Sequence, residues 1–166
     1  MKILIIGSGG REHALAWKCA HDISVEHIFV CPGNAGTHLE DKISNIEINA
    51  SDFGAIENFC ISKEISLVII GPEQPLVDGL TNYLQSKGID TFGPSKEAAQ
   101  LEGSKTFSKD FFVKYHIPTA EYKSFDSFDD ALNYLDRIDY PTVVKADGLA
   151  AGKGAVSYTH LLAHET

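Results

Sequence analysis

The fold is decided by the stretch Lys2-Ile3-Leu4-Ile5-Ile6-Gly7-Ser8-Gly9-Gly10-Arg11-Glu12-His13. It opens with an uninterrupted apolar run, which is typical of a strand that helices cover on both faces. Glycines follow directly, and a helical pattern then runs over residues 12–20. A strand, a glycine loop and a helix in this order bring backbone N–H groups and the positive end of the helix to one place. The stretch therefore predicts an α/β domain with an anion-binding loop after its first strand.

Further apolar runs alternate with helical patterns along the chain. We predict the first strand over residues 3–6 and three more over 27–31, 67–70 and 91–92. We also predict a helix over residues 52–63, capped by Ser51 or Asp52, and another over 77–86, stopped by Gly88. This alternation is typical of βαβ units and a parallel sheet. Residues 1–102 are therefore predicted to form a doubly wound, Rossmann-like α/β domain.

The pattern restarts after Gly103-Ser104, where two helices are predicted to meet. Beyond this joint we predict a helix over residues 105–115, a strand over 120–124, a helix from Asp126 or Ser127 to residue 136, and a strand over 142–146. A glycine-rich loop over residues 148–154 follows that last strand. Residues 103–156 are therefore predicted to be the incomplete start of an α+β domain.

The composition excludes several classes of protein. Acidic residues outnumber basic ones by 23 to 14, and the formal charge of -9 argues against a broad nucleic-acid or anionic-membrane surface. The three cysteines form no C-x-x-C pair, so we expect buried free thiols in a reducing cytosol. No apolar run is long enough for a signal peptide or a transmembrane helix. We therefore expect a cytoplasmic protein without nucleic-acid or membrane partners.

Three polar or glycine-rich loops follow predicted strands: loop A (residues 7–10), loop B (31–37) and loop C (71–75). Each loop alone is typical of a tight turn. Because ligands bind at the carboxyl ends of the strands in open α/β sheets, we expect the three loops to line one pocket, with Glu73 as the lone carboxylate able to meet an amine or ribose hydroxyls. The candidate substrate-binding residues are Gly9, Gly10, Arg11, His13, Asn34, Pro72 and Glu73.

The second glycine-rich loop is predicted to cover phosphates with its backbone N–H groups. It is not a Walker A loop, because Gly154 follows Lys153 where a serine or threonine is needed. Lys145, at the end of the preceding strand, is predicted to meet an anion, although a strand-end lysine can also extend its ammonium into solvent. The candidate ATP-binding residues are Lys105, Lys145, Gly148, Gly152, Lys153 and Gly154.

These motifs together resemble the phosphoribosylamine–glycine ligase family of the ATP-grasp superfamily. The resemblance is carried by residues 7–15, 32–37, 71–76, 92–95, 101–105, 117–120 and 145–154. It implies a pre-ATP-grasp first domain, an ATP-grasp second domain, and a monomer that joins glycine to 5-phosphoribosylamine while ATP is cleaved with Mg²⁺ or Mn²⁺. It also implies that Gly9, Gly10, Arg11 and residues 72–73 hold phosphoribosylamine, and that Lys105, Lys145 and residues 148–154 hold ATP phosphates.

The chain departs from the family pattern after Val156. Residues 157–166 are less apolar than the expected strand, so we predict a non-native tail there, in which His160 and His164 are an accidental pair. The resemblance places the metal ligands and the catalytic residues in parts that these residues do not include, so we expect no metal site in this chain and no turnover by it alone. The first alternative is a non-catalytic sugar-phosphate- or nucleotide-binding Rossmann-like module. A nicotinamide-dependent oxidoreductase is disfavoured because Val30-Cys31-Pro32 lacks the acidic residue expected after the second strand.

Overall fold

The computed structural model describes residues 1–138, 141–150 and 155–158. The chain divides into two compact units, Met1–Gln100 and Leu101–Thr166. In the described part of the chain, no helix is long and apolar enough to cross a membrane.

The first unit, described throughout, is built on a five-stranded sheet in which every paired strand is parallel to its neighbour. The strands are β1 (Lys2–Gly7), β2 (His27–Pro32), β3 (Ile43–Asn45), β4 (Leu67–Ile70) and β5 (Thr91–Phe92). Their order across the sheet is β3-β2-β1-β4-β5, so the chain moves outward from β1 in both directions. This confirms the predicted doubly wound α/β class.

Helices cover both faces of this sheet. They are α1 (Gly10–Ala20), α2 (Phe53–Lys63), α3 (Glu73–Asp78), α4 (Leu80–Ser86) and α5 (Lys96–Gly103). Strand β1 shows the division: Leu4 and Ile6 join the cluster that contains side chains of α2 and α4, whereas Ile3 and Ile5 join the cluster that contains Ala16 of α1. Burying such a side chain contributes about 1.5–3 kcal/mol. The uninterrupted apolar run in β1 is therefore explained by burial on two faces.

In the first unit, one prediction was wrong and one strand was missed. The predicted helix over residues 77–86 is two helices, because Gly79 takes a left-handed conformation with φ of 99° between α3 and α4. Strand β3 was missed, since it is a three-residue edge strand with one buried apolar side chain, Ile43. The expectation of buried thiols holds for Cys31 and Cys60, whereas Cys19 is only half-buried.

The described part of the second unit contains two further helices, α6 (Lys105–Lys114) and α7 (Phe128–Leu135), and an antiparallel pair, β6 (Thr142–Lys145) and β7 (Ala155–Tyr158). Ser104 and Ser127 cap the two helices, because their hydroxyls accept hydrogen bonds from Phe107 N and Asp130 N. The predicted helices and the strand before the glycine-rich loop are therefore confirmed.

The predicted strand over residues 120–124 was wrong, because this segment is irregular. Lys109 Nζ donates to Thr119 Oγ1 over 2.6 Å and to Ala120 O over 2.8 Å. This ammonium therefore holds the start of the segment from the side of α6 instead of a neighbouring strand.

Candidate functional site

Loops A, B and C lie together at the carboxyl edge of the sheet because β2, β1 and β4 are neighbours. Backbone hydrogen bonds continue past the strands into the loops. Gly33 N donates to Gly7 O over 3.1 Å, and Gly71 N donates to Ile6 O over 3.0 Å. The loop that follows β1 therefore lies between the other two loops.

Helix α1 begins at Gly10, directly after loop A. The first-turn N–H groups of a helix have no partner within the helix, and they carry the positive end of its dipole. A Cβ added at Gly10 would meet no atom within 4 Å, so the space beside this turn is open. The start of α1 therefore has open space beside N–H groups of the kind that bind anions, and the predicted anion site stays a prediction.

Glu12 is the buried carboxylate of this edge, with only 4% of the residue exposed. Its Oε2 accepts a hydrogen bond from Gly9 N over 2.8 Å, and its Oε1 accepts one from Arg11 Nε over 2.8 Å. A second carboxylate therefore lies at this edge besides Glu73, but both of its oxygens are bonded to protein groups. A helical glutamate facing inward was missed because the sequence shows only that it lies in the first turn, where most acidic side chains face solvent.

Arg11 connects loop A with loop C. Its Nη1 donates to Glu73 Oε1 over 3.1 Å, while 55% of its side chain stays exposed. The hydrogen bonds to Glu12 and Glu73 raise the pKa of Arg11, and the pKa of Glu73 is lowered by its own backbone N–H and then by Arg11. The site therefore presents a permanent cation whose free N–H groups can reach a ligand. Glu73 itself is the first residue of α3 and not a loop residue, preceded by Pro72 at the N-cap.

Asn34 connects loop B with loop A. Its Nδ2 donates to Ser8 O over 2.9 Å, and its Oδ1 accepts from Gly36 N over 2.8 Å and from Thr37 N over 3.0 Å. The side-chain oxygen thus accepts two hydrogen bonds within loop B, and the amide nitrogen donates to loop A. In the described structure, Asn34 is thus placed to shape the loops.

Two more side chains complete loop B, and the sequence did not single them out. Thr37 is fully buried, and its Oγ1 accepts from Asn34 N over 2.8 Å and donates to Asn45 Oδ1 over 2.7 Å. Asn45 Nδ2 donates to Asn34 O over 2.8 Å. Because Asn45 belongs to the missed edge strand β3, its role could not have been found without that strand.

His13 lies on the side of α1 that faces loop B. Its Nε2 is 2.9 Å from Glu40 Oε1, and its ring packs so closely on Gly36 that an added Cβ there would lie 2.6 Å from His13 Cε1. The imidazole therefore contacts Glu40 with one nitrogen and packs on Gly36 with its ring, so it helps to hold loop B against α1.

In the second unit, Asp147 holds the start of α6. Its carboxylate accepts from Lys105 N over 2.6 Å, from Thr106 N over 3.2 Å and from Ser104 Oγ over 3.0 Å. Burial opposes ionisation, but these donors outweigh it and lower the pKa of Asp147. A negative charge at a helix N-terminus is also favourable. Asp147, within the motif over residues 145–154, is therefore a further residue that shapes the start of α6.

The same contact orients Lys105. Its Nζ donates to Gly148 O over 2.7 Å, which brings two candidate ATP-binding residues together at the start of the glycine-rich loop. Lys145 is exposed at the end of β6. The candidates Gly152, Lys153 and Gly154 lie outside the described residues. Residues 159–166 of the predicted tail, which include His160 and His164, also lie outside the described residues. Residues 157–158 of that tail belong to β7.

Among the described residues, no group of three or more histidines, cysteines, aspartates or glutamates could hold a metal ion. The acidic residues at the carboxyl edge are instead paired with Arg11 and His13. We therefore assign none of the described residues to a metal.

Two family models match the chain. The model of the N domain of phosphoribosylglycinamide synthetase matches residues 1–102, and the model of the ATP-grasp (A) domain of this synthetase matches residues 103–163. The chain is 55% identical over 156 residues to the phosphoribosylamine–glycine ligase of Haemophilus influenzae, covering 94% of this chain and 36% of that protein. It is 52% identical over 167 residues to the ligase of Clostridium acetobutylicum, covering 100% of this chain and 40% of that protein. The chain thus spans well under half the length of these relatives.

Solved structures agree with these matches. A phosphoribosylamine–glycine ligase from Thermotoga maritima is 31% identical with a TM-score of 0.72, over 96% of this chain and 36% of that one. The biotin carboxylase domain of the Hydrogenobacter thermophilus 2-oxoglutarate carboxylase, solved with MgADP and bicarbonate, has a TM-score of 0.71 over 94% of this chain and 37% of that one. At 18% identity, this second likeness shows the fold alone.

Proposed function

The chain belongs to the phosphoribosylglycinamide synthetase family, and from this premise we propose that it forms the phosphosugar-binding part and the first ATP-binding part of a phosphoribosylamine–glycine ligase. The whole protein would join glycine to 5-phosphoribosylamine in purine biosynthesis, giving glycinamide ribonucleotide, ADP and phosphate. We also propose a cytoplasmic monomer, as the family resemblance implies. The relatives that carry this activity are between two and three times as long as the chain.

The first unit binds the phosphate of phosphoribosylamine at the start of α1. One observation carries this proposal: Arg11 lies in that first helical turn, is fixed through two of its nitrogens, and keeps half of its side chain exposed. Backbone N–H groups at a helix start and a guanidinium with free donors are a recurrent combination for phosphate. Gly10, beside which the space is open, lets the ligand approach the backbone closely, and Gly9 precedes it in the same loop. Pro72 and Glu73, at the start of α3, close the site from the side of loop C.

The second unit contributes to the binding of ATP phosphates. Lys105 is held by Gly148 O, and Asp147 fixes the helix start that carries Lys105. A lysine ammonium so held is a point charge for phosphate, and Lys145, Gly152, Lys153 and Gly154 would add a cation and the backbone N–H groups of the glycine-rich loop. Mg²⁺ or Mn²⁺ would neutralise phosphate charge, with ligands other than the described residues of this chain.

The residues of this chain bind and position the reactants. In the proposed reaction, a glycine carboxylate oxygen attacks the γ-phosphorus of ATP and ADP leaves. The nitrogen of phosphoribosylamine then attacks the glycyl carbonyl carbon, phosphate leaves, and the nitrogen loses a proton. Holding the phosphosugar by its phosphate restricts the positions that its amine can take, and positioning of reactants contributes much of the rate enhancement in such reactions.

Calorimetric titration of the 166-residue chain with ribose 5-phosphate tests the site, with ribose as the control that lacks the phosphate. We expect binding of ribose 5-phosphate only, and we expect Arg11→Ala to weaken it about tenfold or more, since charge-assisted bonds contribute about 1.5–3 kcal/mol. Arg137→Ala is the matched control and should leave the affinity unchanged. Binding of NAD in place of the sugar phosphate would refute the proposal.

Ligation itself is tested with the gene's complete protein product, by following ADP release with ATP, glycine and phosphoribosylamine. We expect release to need both other substrates, whereas a non-catalytic binding module would release none. The 166 residues alone should bind without turnover, because they match only 36% to 40% of the length of the ligases that they resemble.

A further inference from the structure

We propose that Glu12 is the positioning residue of the phosphate site: its buried carboxylate locks loops A and C and holds Arg11 by Nε, so that the remaining guanidinium N–H groups face the ligand. This deepens the proposed function and rests on it, because the ligand in question is a sugar phosphate. Glu12 itself does not need to touch that ligand.

The burial of Glu12 calls for a specific role. Glutamates are almost never fully buried unless they are paired, because removing a carboxylate from water is costly. Here the Glu12 side chain is 5% exposed, and both of its oxygens accept hydrogen bonds, one from Gly9 N and one from Arg11 Nε. A glutamate that faced solvent could cap the helix equally well. The inward position of Glu12 is therefore explained by its contacts with loop A and with Arg11 Nε.

Three glycines make room for this carboxylate. A Cβ added at Gly7 would lie 2.4 Å from Glu12 Cγ, one at Gly9 would lie 2.9 Å from Oε2, and one at Gly71 would lie 2.1 Å from Oε1. Gly7 and Gly9 belong to loop A, and Gly71 begins loop C. Glu12 thus fills the space between the two loops, and their separation depends on its length.

The two acidic partners of Arg11 are not equivalent. The side chain of Glu73 is 42% exposed, and pairs of this kind contribute little in water. The side chain of Glu12 is 5% exposed, so its bond to Nε is shielded from solvent. With Nε held by Glu12 and Nη1 near Glu73, the direction of the other guanidinium donors is set mainly by Glu12.

The contact can be tested by NMR of the arginine Nε–H groups, because the chain contains only two arginines, Arg11 and Arg137. An Arg137→Lys background leaves a single signal. In this background we expect Arg11 Nε–H to be protected from exchange with water. In Glu12→Gln the signal should shift toward that of a free arginine, since a neutral amide oxygen is a weaker acceptor. Glu26→Gln, which removes the same charge from an exposed position, should leave the signal unchanged.

Gly71→Ala provides a second test that keeps Glu12 in place. The new Cβ must displace the carboxylate, so the Arg11 signal should shift although its own partner is intact. Placed in a Glu12→Ala background, Gly71→Ala should lower the melting temperature about half as much or less, because the colliding atoms are gone. Gly54→Ala in α2, whose added Cβ meets only Asp52 Oδ1 at 3.7 Å, is the control and should not depend on Glu12.

Ribose 5-phosphate titration then connects the contact with binding. We expect Glu12→Gln to weaken binding about tenfold, the effect of losing one charge-assisted bond, and Glu12→Asp, which keeps the charge on a shorter chain, to restore part of it. An unchanged Arg11 signal in folded Glu12→Gln, additive effects of Gly71→Ala and Glu12→Ala, or a shifted signal with unchanged affinity would each overturn the proposal. If the wild-type chain binds no ribose 5-phosphate, the proposed function fails, while the NMR signal and the coupling still decide whether Glu12 positions Arg11.

Discussion

Asn34→Ala should destabilise the first unit by about 2 kcal/mol and weaken phosphosugar binding. The substitution removes three hydrogen bonds of 3.0 Å or less: Nδ2 to Ser8 O at 2.9 Å, and Gly36 N and Thr37 N to Oδ1 at 2.8 and 3.0 Å. It also removes a long fourth bond from Nδ2 to Gly9 O at 3.5 Å. Each bond contributes about 1 kcal/mol net, and the partly exposed bond to Ser8 contributes less. Asn34→Asp keeps both acceptor bonds but places a carboxylate oxygen against the Ser8 carbonyl, so it should cost about 1 kcal/mol and still release loop B from loop A.

The assay is urea unfolding followed by the fluorescence of Trp17, the single tryptophan of the chain, which lies on α1 in the same unit. Asn49→Ala is the matched control, because Asn49 Oδ1 accepts only from Ser51 N and Ser51 Oγ in an exposed turn. Asn49→Ala should cost under about 1 kcal/mol and leave ribose 5-phosphate affinity unchanged. Equal losses for Asn34→Ala and Asn49→Ala would refute the role given to the bond between the loops.

Burial raises the pKa of the Cys60 thiol to about 11 from 9.0, so the neutral form stabilises the fold below pH 9 and this contribution is lost as the pH rises through 11. Urea unfolding should show a loss of up to about 3 kcal/mol over that window, at about 1.4 kcal/mol per pKa unit, and a smaller loss in Cys60→Val. A thiol reagent should label the half-buried Cys19 well before Cys60 in the native protein, and equal rates would contradict the described burial. Asp147→Ala should speed hydrogen exchange at Lys105 N about fivefold or more, as loss of a helix cap costs about 1 kcal/mol, whereas exchange at Ile5 N should not change.

Much of the fold could be predicted because its elements are specified locally. The run in β1, the capping of α2 by Asp52 and the break at Gly103 each depend on residues within a few positions. Predictions failed where tertiary contacts decide. Strand β3 is too short to show a pattern. The segment over residues 120–124 has Tyr122 as its one strong strand former, and it is held by the Lys109 ammonium instead of a neighbouring strand.

The sequence predicted that the three loops lie at one edge of the sheet, but it did not predict the contacts that their side chains make. Parallel strand order places loops A, B and C at one edge, which the alternation of elements already indicated. The spacing of polar residues along the sequence does not determine the direction in which each side chain faces. Glu12 faces inward because three glycines leave room for it, and Asn34 bonds to loop A because β2 runs beside β1. The glycines at positions 7, 9 and 71 were the one feature of the sequence that indicated a buried carboxylate, because the absence of their side chains leaves the volume that Glu12 fills.

The parallel arrangement of the strands also has a consequence for how the site comes into being during folding. Strand β1 pairs with β2 and with β4, and in the second pairing Ile3 lies beside Leu67, far along the chain. Contacts between residues so distant in sequence form slowly, because a long loop must lose conformational entropy by closing before these contacts can stabilise the fold. A chain that has formed only β1, α1 and β2 has the first glycine loop but not Glu73 or Gly71. Sugar-phosphate binding should therefore appear only with the last of these strand pairings, and the ligand would stabilise the fully folded unit over every earlier intermediate.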